Sequence, residues 1–132
     1  MAIWDDLKYD GTGLIPAVVQ DSENGQVLMV AYMNEASVRM TLETRRVTFW
    51  SRSRGKFWIK GESSGNVQHL VSLAVDCDKD CLLVAVRQEG PACHEGYRSC
   101  FFREATADGE GLTVVAEQLK TPEEIYGARP GA

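Results

Sequence analysis

Leu14-Ile15-Pro16-Ala17-Val18-Val19-Gln20, then Asp21-Ser22-Glu23-Asn24-Gly25, then Val27-Leu28-Met29-Val30-Ala31-Tyr32-Met33 is the stretch that decides the fold. Two β-prone apolar runs flank a segment with the composition of a tight turn, which predicts a hairpin. Asn34 follows where a helix N-cap belongs, with Glu35 in the first turn and Val38, Met40 and Leu42 available for one buried side. One helix of about three turns is therefore expected.

Outward from this core, Val47-Thr48-Phe49-Trp50-Ser51 and Phe57-Trp58-Ile59-Lys60 predict a second hairpin around Arg54-Gly55-Lys56. Residues 67–75 and 82–87 predict two further strands. Beyond Phe102 the composition shifts to Ala, Gly, Glu and Thr, so about 104–132 is expected to be less regular. A short helix is expected at Thr121-Pro122-Glu123-Glu124, where Thr caps and Pro fits the first turn, and fraying over 127–132. With neither repeat nor linker, residues 1–132 read as a single strand-rich α+β domain with one main helix.

The bulk numbers exclude several classes. At 132 residues, 44% hydrophobic and 25% charged, the chain has the composition of a soluble globular domain with a sizeable core. A net charge of −5 argues against a nucleic-acid footprint, though not against a local basic pocket for an anionic small molecule. The start Met1-Ala2-Ile3-Trp4-Asp5-Asp6 lacks the pattern of a secretory signal, and no stretch is long enough to span a bilayer. The expected setting is the cytosol, where four cysteines are thiols or metal ligands rather than a disulfide framework.

Two kinds of metal donor meet in Asp76-Cys77-Asp78-Lys79-Asp80-Cys81, followed by Cys93-His94 and Cys100. Carboxylates suit a hard cation such as Mg²⁺ and thiolates a softer one such as Zn²⁺. In an extended segment Asp76, Asp78 and Asp80 would share one face and Cys77 and Cys81 the other. Three carboxylates so close repel one another without a cation. A calcium loop would need Gly and Glu at its sixth and twelfth positions, which hold Cys81 and Arg87.

Cys77, Cys93 and Cys100 would make an open, hydrolytic zinc site, whereas adding Cys81 would close it into a structural one. The apolar run Leu82-Leu83-Val84 after Cys81 favours a small buried hydrophobe at that position, while Cys93 and Cys100 lie in a polar, Gly-containing loop. His94 beside Cys93 is the candidate general acid or base, ahead of His69 within the 67–75 strand. Neither the Cys-x-x-Cys of a thiol redox protein nor the His-x-Glu and Pro-Cys-x-x-Cys of zinc deaminases is present.

A third constellation is Trp50-Ser51-Arg52-Ser53-Arg54 with Lys60-Gly61-Glu62-Ser63-Ser64-Gly65-Asn66. Arginine forks, serine hydroxyls and the N–H groups of a Gly-rich turn are donors that cradle phosphate, and Trp50 or Trp58 could cover an aromatic base.

With these residues quoted, the chain resembles the phosphoribosyl-AMP cyclohydrolase family of histidine biosynthesis over nearly its whole length. The likeness runs through Gly13 to Asp21, Met29 to Asn34, Phe49 to Arg54, Trp58 to Asn66, Asp76 to Asp80, and Ala92-Cys93-His94 to Arg98-Ser99-Cys100-Phe101. The resemblance implies Zn²⁺ on Cys77, Cys93 and Cys100, and Mg²⁺ on Asp76, Asp78 and Asp80. It further implies an intertwined homodimer that shares the zinc site between chains, and a mainly β pseudo-barrel of antiparallel hairpins capped by the helix. The expected reaction is zinc-dependent hydrolysis of the N1–C6 bond of 1-(5-phosphoribosyl)-AMP, yielding the phosphoribosyl-formimino carboxamide ribotide, ProFAR. His94 would move the proton. Trp50, Arg52, Arg54, Lys60, Glu62, Ser63, Ser64, Gly65, Asn66 and Arg98 would hold the phosphorylated nucleotide.

Overall fold

Period-two burial dictates the central layer of the computed structural model, which describes residues 2–126. Strand β1 (Ile15–Asp21) buries Ile15, Ala17, Val19 and Asp21 on one face. It pairs antiparallel with β2 (Val27–Met33), with a register shift between Val19 and Gln20. Strands β5 (Gln68–Val75) and β6 (Leu82–Gln88) form another antiparallel pair, and the four make one sheet in the order β2-β1-β6-β5. Leu82, Val84 and Val86 meet the inward residues of β1, and each such aliphatic side chain contributes about 1.5–3 kcal/mol on full burial.

The helix is α1 (Glu35–Thr44), opened by a capping box in which Asn34 Oδ1 accepts from Ser37 N–H at 2.8 Å and Ser37 Oγ from Asn34 N–H at 2.8 Å. Its buried stripe is Ser37, Val38 and Thr41, with Leu42 packed against the core. Val38 and Leu42 thus lie on the expected buried side, whereas Met40, two positions from each, is off that face by the 3.6-residue period and is only half-buried. Thr41 Oγ1 accepts the Thr48 N–H at 3.0 Å and donates to its carbonyl at 3.2 Å, docking α1 onto β3 (Thr48–Ser51). Strand β4 (Lys56–Ile59) completes the second hairpin.

Two further expectations are corrected. The β1–β6 pairing at the centre is parallel, so the main sheet is mixed rather than built from antiparallel hairpins alone. The Asp76–Asp80 run is a turn between β5 and β6, not an extended segment, and Lys79 lies in the left-handed region with φ 62°. After Phe102 the chain forms an exposed hairpin, β7 (Arg103–Ala105) and β8 (Leu112–Val114), set among turns and bends. The short helix α2 (Pro122–Tyr126) forms as expected, with Thr121 Oγ1 accepting from Glu124 N–H at 3.2 Å. The expected fraying at 127–132 lies outside the described residues. Among the described residues, no helix is long and apolar enough to cross a membrane.

Register gives the sheet two ends that matter for function. Leu82 of β6 lies beside Ala17 and Val75, with Met33 and Ile15 close by, and the Asp76–Cys81 turn caps this end. Gln88 lies at the other end, beside Gln68 and near the Asp21 turn and the start of β2. Seven residues of β6 at about 3.3 Å each put roughly 20 Å between the two ends.

Candidate metal and nucleotide site

The loop after β6 is closed by its own backbone. Ala92 N–H donates to Arg98 C=O at 3.0 Å, Cys93 N–H to Tyr97 C=O at 3.1 Å, and Gly96 N–H to Cys93 C=O at 2.9 Å. Ser99 Oγ donates to Val27 C=O at 2.7 Å and Cys100 N–H to Leu28 C=O at 2.7 Å, which pins the loop to β2. The buried Asp21 carboxylate pairs with the Arg98 guanidinium, which also donates to Gln88 C=O and Gly90 C=O at 3.5 and 3.3 Å. Arg98 thus spends its fork on the fold. The same bonds hold the Asp21 carboxyl below its ordinary range, with Arg98 the main cause.

These constraints bring Cys93 and Cys100 side by side. Burial, and then the neighbouring Cys93, push the Cys100 thiol up to about 11. Cys100 is nevertheless open to solvent on one side, so desolvation there reflects crowding by neighbouring atoms rather than enclosure. Cys93 is buried, its sulfur 3.5 Å from the Glu95 N–H, and His94 beside it is exposed. Lys60 is buried at the same end, donating its ammonium to Ala92 C=O.

A C-terminal strap lies over this loop. Leu119 and Lys120 N–H both donate to Gly96 C=O, at 2.8 and 3.2 Å, and Gln118 Nε2 donates to Glu95 C=O at 2.7 Å. Gly96 has φ 92°, and a Cβ there would fall 1.6 Å from Lys120 O, a clash with backbone. Gly96→Ala is therefore expected to release the strap and destabilise the chain by about 2–3 kcal/mol. Hydrogen exchange should show the Leu119 and Lys120 amides losing protection; unchanged protection would contradict the strap contact.

At the opposite end, ligand oxygens of Asp76, Asp78 and Asp80 lie within 4.8 Å of one another on the surface. Asp76 Oδ1 accepts the Asp80 and Cys81 N–H groups at 3.0 and 3.2 Å. Slight burial opposes ionisation of Asp76, but these amide bonds outweigh it and lower its pKa. Asp80 is pushed the other way, first by its hydrogen bond with Asp76 and then by burial and the two neighbouring carboxylates. Lys79 does not offset this charge by direct pairing, because its ammonium bridges to Asp6 Oδ2 at 2.6 Å. The arrangement can hold a hard cation.

The second hairpin spans both ends. At its tip the Arg52 guanidinium stacks 4.0 Å over Tyr32, beside an open cleft of about 230 Å³ lined by Thr12, Leu14, Trp50 and Arg52. Trp50 packs edge-on against Phe57, and Arg54 is exposed. Past β4 comes the Lys60–Asn66 turn, with Glu62, Ser63 and Gly65 exposed and Ser64 and Asn66 half-buried. Gly61 closes it, since a Cβ there would sit 2.5 Å from Val67 backbone.

Sequence reasoning missed the polar pair beneath this turn. Gln68, fully buried, donates to Gln88 Oε1 at 2.8 Å, and Gln88 Nε2 donates to Asn66 C=O at 3.1 Å. The available signal was a glutamine two positions before Leu70, on the inward register of an apolar strand. His69 lies 3.5 Å from Glu89, half-buried on β5.

One chain does not bring all the expected metal ligands together. Cys77 and Cys81 belong to the acidic turn at one end of β6, and Cys93 and Cys100 to the loop at the other. Among the described residues, the three aspartates are the only group of three or more metal-ligating side chains gathered this closely. A four-cysteine site within one chain is not formed. Cys81 is half-buried with its sulfur 3.8 Å from Leu82 C=O, and burial raises its pKa.

Comparison with known proteins gives one family over most of the chain. Residues 29–102 match the family model described as phosphoribosyl-AMP cyclohydrolase. The chain is 60% identical over 113 residues to the phosphoribosyl-AMP cyclohydrolase of Ruegeria pomeroyi, covering 86% of this chain and 94% of that one. It is 53% identical over 121 residues to the Chlorobaculum tepidum protein of that name, covering 92% and 88%. The Dinoroseobacter shibae protein of that name is 61% identical over 113 residues, covering 86% and 94%.

Proposed function

The chain belongs to the phosphoribosyl-AMP cyclohydrolase family, and we propose on that premise that it hydrolyses the N1–C6 bond of 1-(5-phosphoribosyl)-AMP, forming ProFAR in cytoplasmic histidine biosynthesis. The observation that carries the reading is the Cys93–Cys100 pair, two thiols near enough to act on one another, set there by a loop anchored to its own backbone and to β2.

Zinc fits this donor set. Cys100, a crowded thiol that resists ionisation alone, gives up its proton to a soft cation, and Cys93 lies beside it as a second sulfur donor. Cys93 and Cys100 would hold Zn²⁺ with Cys77 of a second copy, because Cys77 lies roughly 20 Å away along β6 within one chain. When bound, zinc supplies Lewis acidity and lowers the pKa of water to about 7.

The other residues then take roles that follow from their placement. His94, exposed beside Cys93, accepts a proton from the attacking water and returns it to N1 as the N1–C6 bond breaks. The Asp76, Asp78 and Asp80 cluster fits Mg²⁺, since Asp80 ionises with difficulty among its neighbours. Arg52, Arg54 and the Ser63-Ser64-Gly65 turn, with Glu62 and Asn66, hold phosphate and ribose, and Trp50 covers the base. Arg98, turned inward, positions the thiol loop.

Two copies related by a twofold axis would bring the acidic turn of each to the thiol loop of the other, completing two sites at once. An apolar row across the outer face of the sheet supports such a homodimer: Val30 opposes Val18, Val18 opposes Leu83 and Leu83 opposes Ala74, with Val30 and Leu83 exposed. Pseudo-barrel closure of the intertwined pair belongs to the same reading.

Ultraviolet absorbance of phosphoribosyl-AMP during incubation with the protein tests this function, because ring opening changes the chromophore. The expected change disappears with a zinc chelator and returns with added zinc. No change from folded, zinc-loaded protein would overturn the assignment.

A further inference from the structure

Lys60 stands out among the groups the proposed reaction leaves without a fitting role. It is only 9% exposed, and no carboxylate of the described residues lies within salt-bridge distance of its ammonium. Burying an unpaired ammonium is costly, so such a charge is expected to have an anionic neighbour in the working protein. Its surroundings are the Ala92 carbonyl, the Trp58 ring 5.2 Å away, and the Cys100 and Cys93 thiols, which act on it electrostatically. Among the described residues, the groups able to become anions that act on it are these two thiols.

We infer that Lys60 is the counter-charge of the thiolate site. Its ammonium fixes the Cys93 loop through the Ala92 carbonyl and offsets the negative charge that Cys93 and Cys100 carry on a soft cation. This rests on the zinc reading above. Three thiolates around a divalent cation leave one net negative charge, which one buried ammonium balances. The placement also sets Lys60 apart from Arg52 and Arg54, whose exposed guanidiniums are free to meet a phosphate. Lys60 is accordingly a positioning residue of the metal site rather than a phosphate ligand.

The experiment compares wild-type holoprotein with Lys60→Gln, which keeps a donor but removes the charge, Lys60→Met, which removes both, and Lys60→Arg, which keeps the charge. Zinc affinity is read by competition with a chromophoric chelator, and the thiolate ligands by the sulfur-to-metal charge-transfer band of the Co²⁺-substituted protein. Zinc affinity should fall about 10- to 100-fold in Lys60→Gln and further in Lys60→Met, with Lys60→Arg recovering part of the loss and KM staying near wild type. Should Lys60→Met lack a cooperative melt, Lys60→Gln decides. Wild-type zinc affinity in Lys60→Gln, with the defect confined to a raised KM, would overturn the inference and make Lys60 a substrate ligand. Failure of the zinc reading itself looks different: wild-type protein would retain no zinc and show no thiolate-to-cobalt band, which overturns both.

Discussion

Cys93→Ala is expected to abolish zinc retention and turnover together, with activity falling about a thousandfold or more. The reasoning is chemical. Water without the metal has a pKa near 15.7 instead of about 7, so almost no hydroxide is available at neutral pH to attack the ring. The fold should survive, because Cys93 contributes a small buried side chain while the loop is held by the backbone bonds of Ala92, Gly96 and Cys100 and by Ser99 Oγ. Circular dichroism and zinc content measured alongside activity check this. Full activity at undiminished fold would remove Cys93 from the metal site.

Asp21→Asn carries the largest expected cost in stability, about 3–5 kcal/mol, because it leaves the Arg98 guanidinium partly buried without its anion. The carboxylate is 2% exposed and also accepts the Glu23 N–H at 2.8 Å, so an amide can satisfy only part of what it holds. The pH dependence follows from the lowered pKa. A carboxyl depressed in the folded state contributes stability above its unfolded value near 4, and that contribution is lost as pH falls through the folded pKa. Thermal melts from pH 7 to pH 2 should show the difference between wild type and Asp21→Asn shrinking below about pH 4. A difference that stays constant across that range would mean the ion pair is not its source.

Local chemistry explains which elements were legible in the sequence. The β1–β2 turn, the Asn34 cap and the second hairpin's turn, expected at Arg54-Gly55-Lys56 and found over 52–55, are each specified by residues a few positions apart. The parallel pairing of Ala17 with Leu82 joins residues far apart in the chain, and nothing in either strand alone names its partner. The acidic run alternates as a strand does, which is why its sequence predicts an extended segment. Lys79 in the left-handed region and the two amides donating to Asp76 Oδ1 instead make it a turn, and the carboxylates gather for that reason. Cys77, Asp76 and their neighbours were identifiable from residue type, but not that the β6 strand holds Cys77 away from Cys93. Lys60 follows a strand rich in exposed residues, so its inward turn toward Ala92 has no local signal.

Complementation between two inactive variants tests the shared site most directly. Cys77→Ala lacks the ligand at one end of the sheet and Cys93→Ala lacks it at the other, so each alone should be inactive. Co-refolded in equal amounts, about half the dimers would be hybrids, each with one site made from two intact halves, restoring about a quarter of wild-type activity. A mixture as inactive as its components would contradict a site built from two chains.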